Sequence, residues 1–117
     1  MLRKSGPSVN MEFSRAGGSI VIARTDVWKA TPDGWQAVAA FVFNDPMKPS
    51  ESVVQKLPVG SYTCVFQCFV EESLNGKYRF ELDVAKDETF ADDGDVNTTS
   101  APDDKKVFKD QFILEVQ

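Results

Sequence analysis

An all-β fold is what the sequence predicts, a single antiparallel β-sandwich of about seven strands, and three observations carry the prediction. The dominant hydrophobic period is two. Turn residues interrupt it at the short spacing typical of sandwiches and barrels. No segment sustains a period of 3.6, and no internal repeat is present. At 117 residues, 42% of them hydrophobic and nine of them Phe, the chain has the size and composition of one globular domain spanning residues 1–117.

The elements follow in order. Residues 1–8 read as a flexible N-terminus, because the basic Met1-Leu2-Arg3-Lys4 leads into Ser5-Gly6-Pro7-Ser8 where an export signal would place its apolar stretch. Residues 9–13 are the first strand candidate. Ile20 and Ile22, set among Val21 and Ala23, mark the second. Residues 35–43 are apolar on both faces, the signature of a central strand. Residues 52–57 and 61–71 follow. In residues 77–84, Tyr78, Phe80, Leu82 and Val84 alternate with Lys77, Arg79, Glu81 and Asp83, giving one apolar and one charged face. Phe108, Phe112, Leu114 and Val116 repeat that spacing, interrupted by Asp110. Gly17-Gly18, Thr31-Pro32-Asp33-Gly34, Asn44-Asp45-Pro46 and Asn75-Gly76 separate the runs, and the last is the strongest hairpin signal.

In residues 61–71 the alternation places Tyr62, Cys64, Phe66, Cys68 and Val70 on one side, so both cysteines face the core. Four extended residues hold their Cα atoms roughly 13 Å apart, whereas a disulfide needs less than about 7 Å. Two free, buried thiols are expected. Two cysteines without any histidine leave zinc short of ligands. Unpaired thiols and the missing export signal together lead to the expectation of a cytoplasmic location.

The segment Gly60-Ser61-Tyr62-Thr63-Cys64 resembles the Gly-x-Tyr-x-Cys stretch of immunoglobulin-like domains, and Leu57-Pro58-Val59-Gly60-Ser61-Tyr62 is similar to the strand opening of prealbumin-like modules. Either resemblance implies a sandwich. The first also implies a Tyr62 hydroxyl bonded to nearby backbone. The antibody pattern is departed from in two respects: no earlier cysteine could form the disulfide between sheets, and more chain follows Tyr62 than the familiar strand order requires.

The net charge of -5 is concentrated. Residues 87–104 hold seven acids (Asp87, Glu88, Asp92, Asp93, Asp95, Asp103 and Asp104) and no base, and they read as an acidic loop. Without a basic stripe, neither nucleic acid nor a membrane is an expected partner. The longest uninterrupted apolar run, 37–43, is also far below the roughly 20 residues that span a bilayer.

The absence of histidine excludes Ser-His and Cys-His nucleophilic catalysis, and no phosphate-binding glycine loop occurs. Glu71-Glu72 could pair as carboxylates but reads more simply as a solvated strand end, so no catalytic function and no cofactor are expected. Two groups of residues could bind a ligand. Trp28 and Trp35 flank the turn at 31–34, where indoles at a sheet edge could anchor a protein partner or stack on a carbohydrate; packing into the core is the competing reading. Asp93, Asp95, Asn97 and Asp104 fall at positions one, three, five and twelve of a calcium-type loop, but Thr98 stands where glycine is needed, and a solvated loop is the alternative. The expected function is a non-catalytic binding or structural module working through protein–protein interaction or self-association, with carbohydrate or small-ligand binding at Trp28 and Trp35, assisted by calcium, as the alternative.

Overall fold

The computed structural model describes residues 1–17, 20–71, 77–95 and 105–117, and of Asp95 and Lys105 the backbone alone. These residues form the strands β1 (Leu2–Ser5), β2 (Ser8–Gly17), β3 (Ile20–Thr31), β4 (Gly34–Phe43), β5 (Ser50–Lys56), β6 (Gly60–Glu71), β7 (Lys77–Val84), β8 (Asp87–Asp95) and β9 (Lys105–Val116). They make an all-β fold of two sheets, one ordered β1-β9-β6-β3-β4 and the other β5-β2-β7-β8. Every described pairing is antiparallel except β1 on β9, which is parallel.

The period-two pattern is realised directly. Tyr62, Cys64, Phe66, Cys68 and Val70 point inward from β6, and Tyr78, Phe80, Leu82 and Val84 do so from β7. The two rows meet in one core shared by both sheets. Phe13 of β2 stands 6.1 Å from Phe66 of β6 and 5.9 Å from Phe80 of β7, measured between ring centroids. Phe108 of β9 closes the group, 5.4 Å from Phe80 and 6.1 Å from Phe66. Offset and edge-on aromatic pairs of this kind add to the burial of apolar area that drives the fold.

Four expectations are corrected. The N-terminus is not loose over residues 2–5: β1 lies along β9, and Arg3 crosses to the other sheet, its guanidinium donating to Thr89 Oγ1 at 3.0 Å and to the Glu88 carbonyl at 2.6 Å. Residues 87–95 of the expected acidic loop are strand β8, anchored by the buried Thr89 and Phe90 while Asp87, Glu88 and Asp93 face water. Residues 35–43 belong to the edge strand β4 and not to a central one; their second apolar face is simply exposed. The strands flanking Asn75-Gly76 lie in different sheets and do not pair; that dipeptide itself is outside the described residues. The described residues hold nine strands against the seven or so expected, the additions being β1 and β8.

The tight hairpin in this half of the chain instead joins β7 to β8 through Ala85 and Lys86, both left-handed at φ 49° and 71°. Positive φ at both central residues matches the right-handed twist of the flanking strands. The sequence hides the turn, because neither residue is Gly, Asn or Asp.

Between β4 and β5 the chain crosses from one sheet to the other, and Arg15 pins the crossing. Its guanidinium donates to the carbonyls of Phe43 (3.2 Å), Lys48 (2.8 Å) and Asp45, and it pairs with Glu51 at 2.6 Å. Charge-assisted bonds to backbone make this corner rigid.

Candidate functional site

The hairpin of β3 and β4 places the two tryptophans. Thr31 Oγ1 donates to the Gly34 carbonyl at 2.9 Å and closes the turn, and Gly34 takes φ +124°, a conformation open to glycine. In the ladder, Trp28 is opposite Ala37 and Ala30 is opposite Trp35, with a bulge at Val38 that gives β4 one extra residue. Trp28 and Trp35 are therefore diagonal neighbours on the outer face of the five-stranded sheet. Neither enters the core; that position is taken by Val27, which is fully buried. Trp28 is half-buried, while Trp35 is 62% exposed.

The next two strands complete the site. Thr63 stands opposite both Trp28 on β3 and Ile113 on β9, while Val65 faces Asp26 and Gln111. Trp28, Trp35, Thr63, Val65, Gln111 and Ile113 line an open groove of about 480 Å³. Its walls are mainly apolar, with one hydroxyl and one carboxamide. The sequence marks the tryptophans but not Val65 or Ile113, because alternation tells which face a residue takes and not which strands are neighbours.

A stripe of polar groups bounds the groove. Arg24 and Asp26 are neighbours on the same face of β3 and pair at 2.6 Å, and Gln67 and Lys109 continue the row across β6 and β9. Beyond the stripe lies a second apolar hollow of about 440 Å³, lined by residues including Ile22, Phe69 and Val107.

The remaining candidates sit elsewhere. Cys64 and Cys68 are free and buried, and burial pushes both thiols up to about 12. Such thiols are poor nucleophiles and poor metal ligands. Of the expected calcium ligands, Asp93 and Asp95 stand on the extended strand β8, and Asn97 and Asp104 lie outside the described residues. Among the described residues no group of three or more acidic or thiol side chains is placed to hold a metal ion.

At one end of the core the Tyr78 hydroxyl donates to Asp92 Oδ2 at 3.0 Å, and Lys106 Nζ lies 3.3 Å from the same oxygen and 5.2 Å from the Tyr78 ring centroid. Burial raises the Tyr78 hydroxyl above its ordinary range. Burial also opposes ionisation of Asp92, but the bonds from Tyr78 and Lys106 outweigh it and hold that carboxyl low. Lys106 is raised, first by its bond to Tyr78 and then by Asp92. A tyrosine shifted upward is a weak base and nucleophile at neutral pH, and the trio instead ties β9 of one sheet to β7 and β8 of the other.

No protein-family model matches the chain, and no curated protein does. Among solved structures the chain is similar to the crystal structure of a domain of unknown function, DUF4425, from Bacteroides vulgatus ATCC 8482, at 8% identity and a TM-score of 0.45, over 97% of this chain and 100% of that one.

Proposed function

We propose that the chain is a β-sandwich module without catalytic activity that binds a protein partner through the outer face of its five-stranded sheet, at the groove of Trp28 and Trp35. One observation carries the reading: an indole 62% exposed beside a half-buried one, in a groove otherwise walled by Val65, Ile113, Thr63 and Gln111. Exposed tryptophans over apolar walls are what anchors an apolar side chain of a partner. The lack of histidine and the upward-shifted thiols and tyrosine support a non-catalytic role. The bond from the Tyr62 hydroxyl to the Pro58 carbonyl, at 2.6 Å, supports the immunoglobulin-like resemblance, although β7 and β8 intervene between the paired strands β6 and β9.

Stacking of a sugar ring on Trp35 is the second reading, favoured by the open face of that indole. Against it, the groove offers Thr63 and Gln111 as its polar side chains, few partners for a ring of hydroxyls.

Tryptophan emission of the free protein is expected to be red-shifted and readily quenched by iodide. Binders selected from a random peptide library should lose about tenfold or more in affinity for Trp35→Ala. If no peptide depends on Trp35 while oligosaccharides perturb its emission, the groove belongs to a carbohydrate.

A further inference from the structure

Four strands lie at sheet edges: β1, β4, β5 and β8. Edge strands expose unpaired backbone groups, and proteins guard them with charge, proline or shortness. β1 is four residues long and carries Arg3 and Lys4; β5 carries Glu51 and Lys56; β8 carries five acids. β4, ten residues long, carries no charge and no proline. Its C-terminal half is covered from within, because Gln55 donates to the Ala40 carbonyl and Arg15 to the Phe43 carbonyl. Among the described residues, β5 and Arg15 cover only this half and leave the segment 34–37, ahead of the bulge, open.

Charge selects what can pair there. The outer face of the four-stranded sheet shows Glu12, Glu81, Asp83, Glu88 and Asp93 against Lys56, Lys77 and Arg79, an acidic excess, and Glu81 is raised first by its hydrogen bond with Asp83 and then by the Asp83 charge. Two copies of a chain of net charge -5 repel through that face. On the five-stranded sheet the described outward charges balance: Lys4, Arg24 and Lys109 against Asp26, Glu71 and Glu115. The uncharged edge beside a balanced face is where a second copy can approach.

We propose that β4 pairs antiparallel with β4 of a second copy about a two-fold axis at Gln36. This rests on the groove reading above and names its partner. Residues that face each other across a strand pair point to the same side, so the register puts Gln36 opposite Gln36, and Trp35 opposite Ala37 of the other copy. Ala37 already faces Trp28 within the chain. The second copy's Trp35 therefore joins the row of Thr63, Trp28 and Ala37, over a residue small enough to leave it room, and extends the groove across the two-fold. The bulge at Val38 ends the pairing. An interface of one short strand is of the weak, transient class.

The test is a charge swap at the axis, where Gln36 is exposed and its replacement leaves the core untouched. Sedimentation velocity should show the wild type dimerising reversibly, more strongly as added salt screens the net charge. Gln36→Glu and Gln36→Lys should each be monomeric, and an equimolar mixture of the two should restore the dimer, with unchanged thermal melts throughout. A wild type that stays monomeric to about 1 mM overturns the proposal while leaving the groove open to a different protein. A dimer that neither Gln36 variant disturbs, or a mixture that fails to reassociate, overturns the two-fold at Gln36. A Gln36-dependent dimer indifferent to Trp28→Ala and Trp35→Ala upholds the edge pairing and sinks the groove reading.

Discussion

The Arg15 guanidinium and the Glu51 carboxylate meet at 2.6 Å with 5% and 13% of their side chains exposed, on neighbouring positions at the corner where the chain changes sheets. Three backbone carbonyls share the same guanidinium. Removing it strands a carboxylate and those carbonyls together. Arg15→Met is expected to cost about 3–5 kcal/mol in urea unfolding, because a buried charge loses its partner. Glu51→Gln, which keeps an acceptor, should cost about 1–2 kcal/mol. Equal losses would mean that the corner is held by packing alone.

Phe80 is 1% exposed and touches Phe13, Phe66, Tyr78 and Phe108, whereas Arg79 beside it faces water. Phe80→Ala should lose about 3–5 kcal/mol, and Arg79→Ala should stay within about 0.5 kcal/mol of wild type. Urea midpoints at constant slope check the pair.

Lys86 sits at φ 71° in the hairpin between β7 and β8. A side chain in this region costs about 1–2 kcal/mol that glycine avoids. Lys86→Gly should therefore raise the unfolding free energy by a few tenths to about 1 kcal/mol, less the greater freedom of the unfolded glycine. A destabilised variant would show that the Lys86 side chain makes a compensating contact.

The Tyr78, Asp92 and Lys106 trio sets a pH dependence. Asp92 is held low in the fold, so its contribution is present above the unfolded carboxyl value, about 3.9, and disappears as pH falls through the folded value. Lys106 and Tyr78 are both raised, so theirs is complete below about pH 10 and fades above it. Asp92→Asn should flatten the acid limb of the stability profile. Partial exposure of Asp92 and Lys106, 30% and 48%, keeps the effect modest and sensitive to salt.

The inward rows were legible because period two and burial are the same fact read twice: Tyr62 to Val70 and Tyr78 to Val84 need no knowledge of topology. Neighbour relations were not. Asn75-Gly76 suggested a hairpin, yet its flanking strands joined different sheets, while the real two-residue turn at Ala85 and Lys86 carries none of the usual turn residues. β4 looked central because apolar residues on both faces mark burial on both, and here one face is open. β8 looked like a loop because its acids outnumber its anchors, Thr89 and Phe90. The tryptophans were legible as a pair from the turn between them, but their groove depends on β6 and β9, which alternation alone cannot bring alongside.

The parallel strands β1 and β9 also decide how the domain would answer a pull on its two ends. Met1 accepts from the Ile113 amide and Ser5 from the Gln117 amide, each at 2.9 Å, so the first and last residues leave this ladder in opposite directions. Tension between them runs along both strands. The hydrogen bonds then resist together, in shear, where an antiparallel hairpin pulled from its open end would unzip one bond at a time. Force spectroscopy with handles at residues 1 and 117 should find a higher rupture force than with handles on residues 77 and 95, at the open end of the β7 and β8 pair.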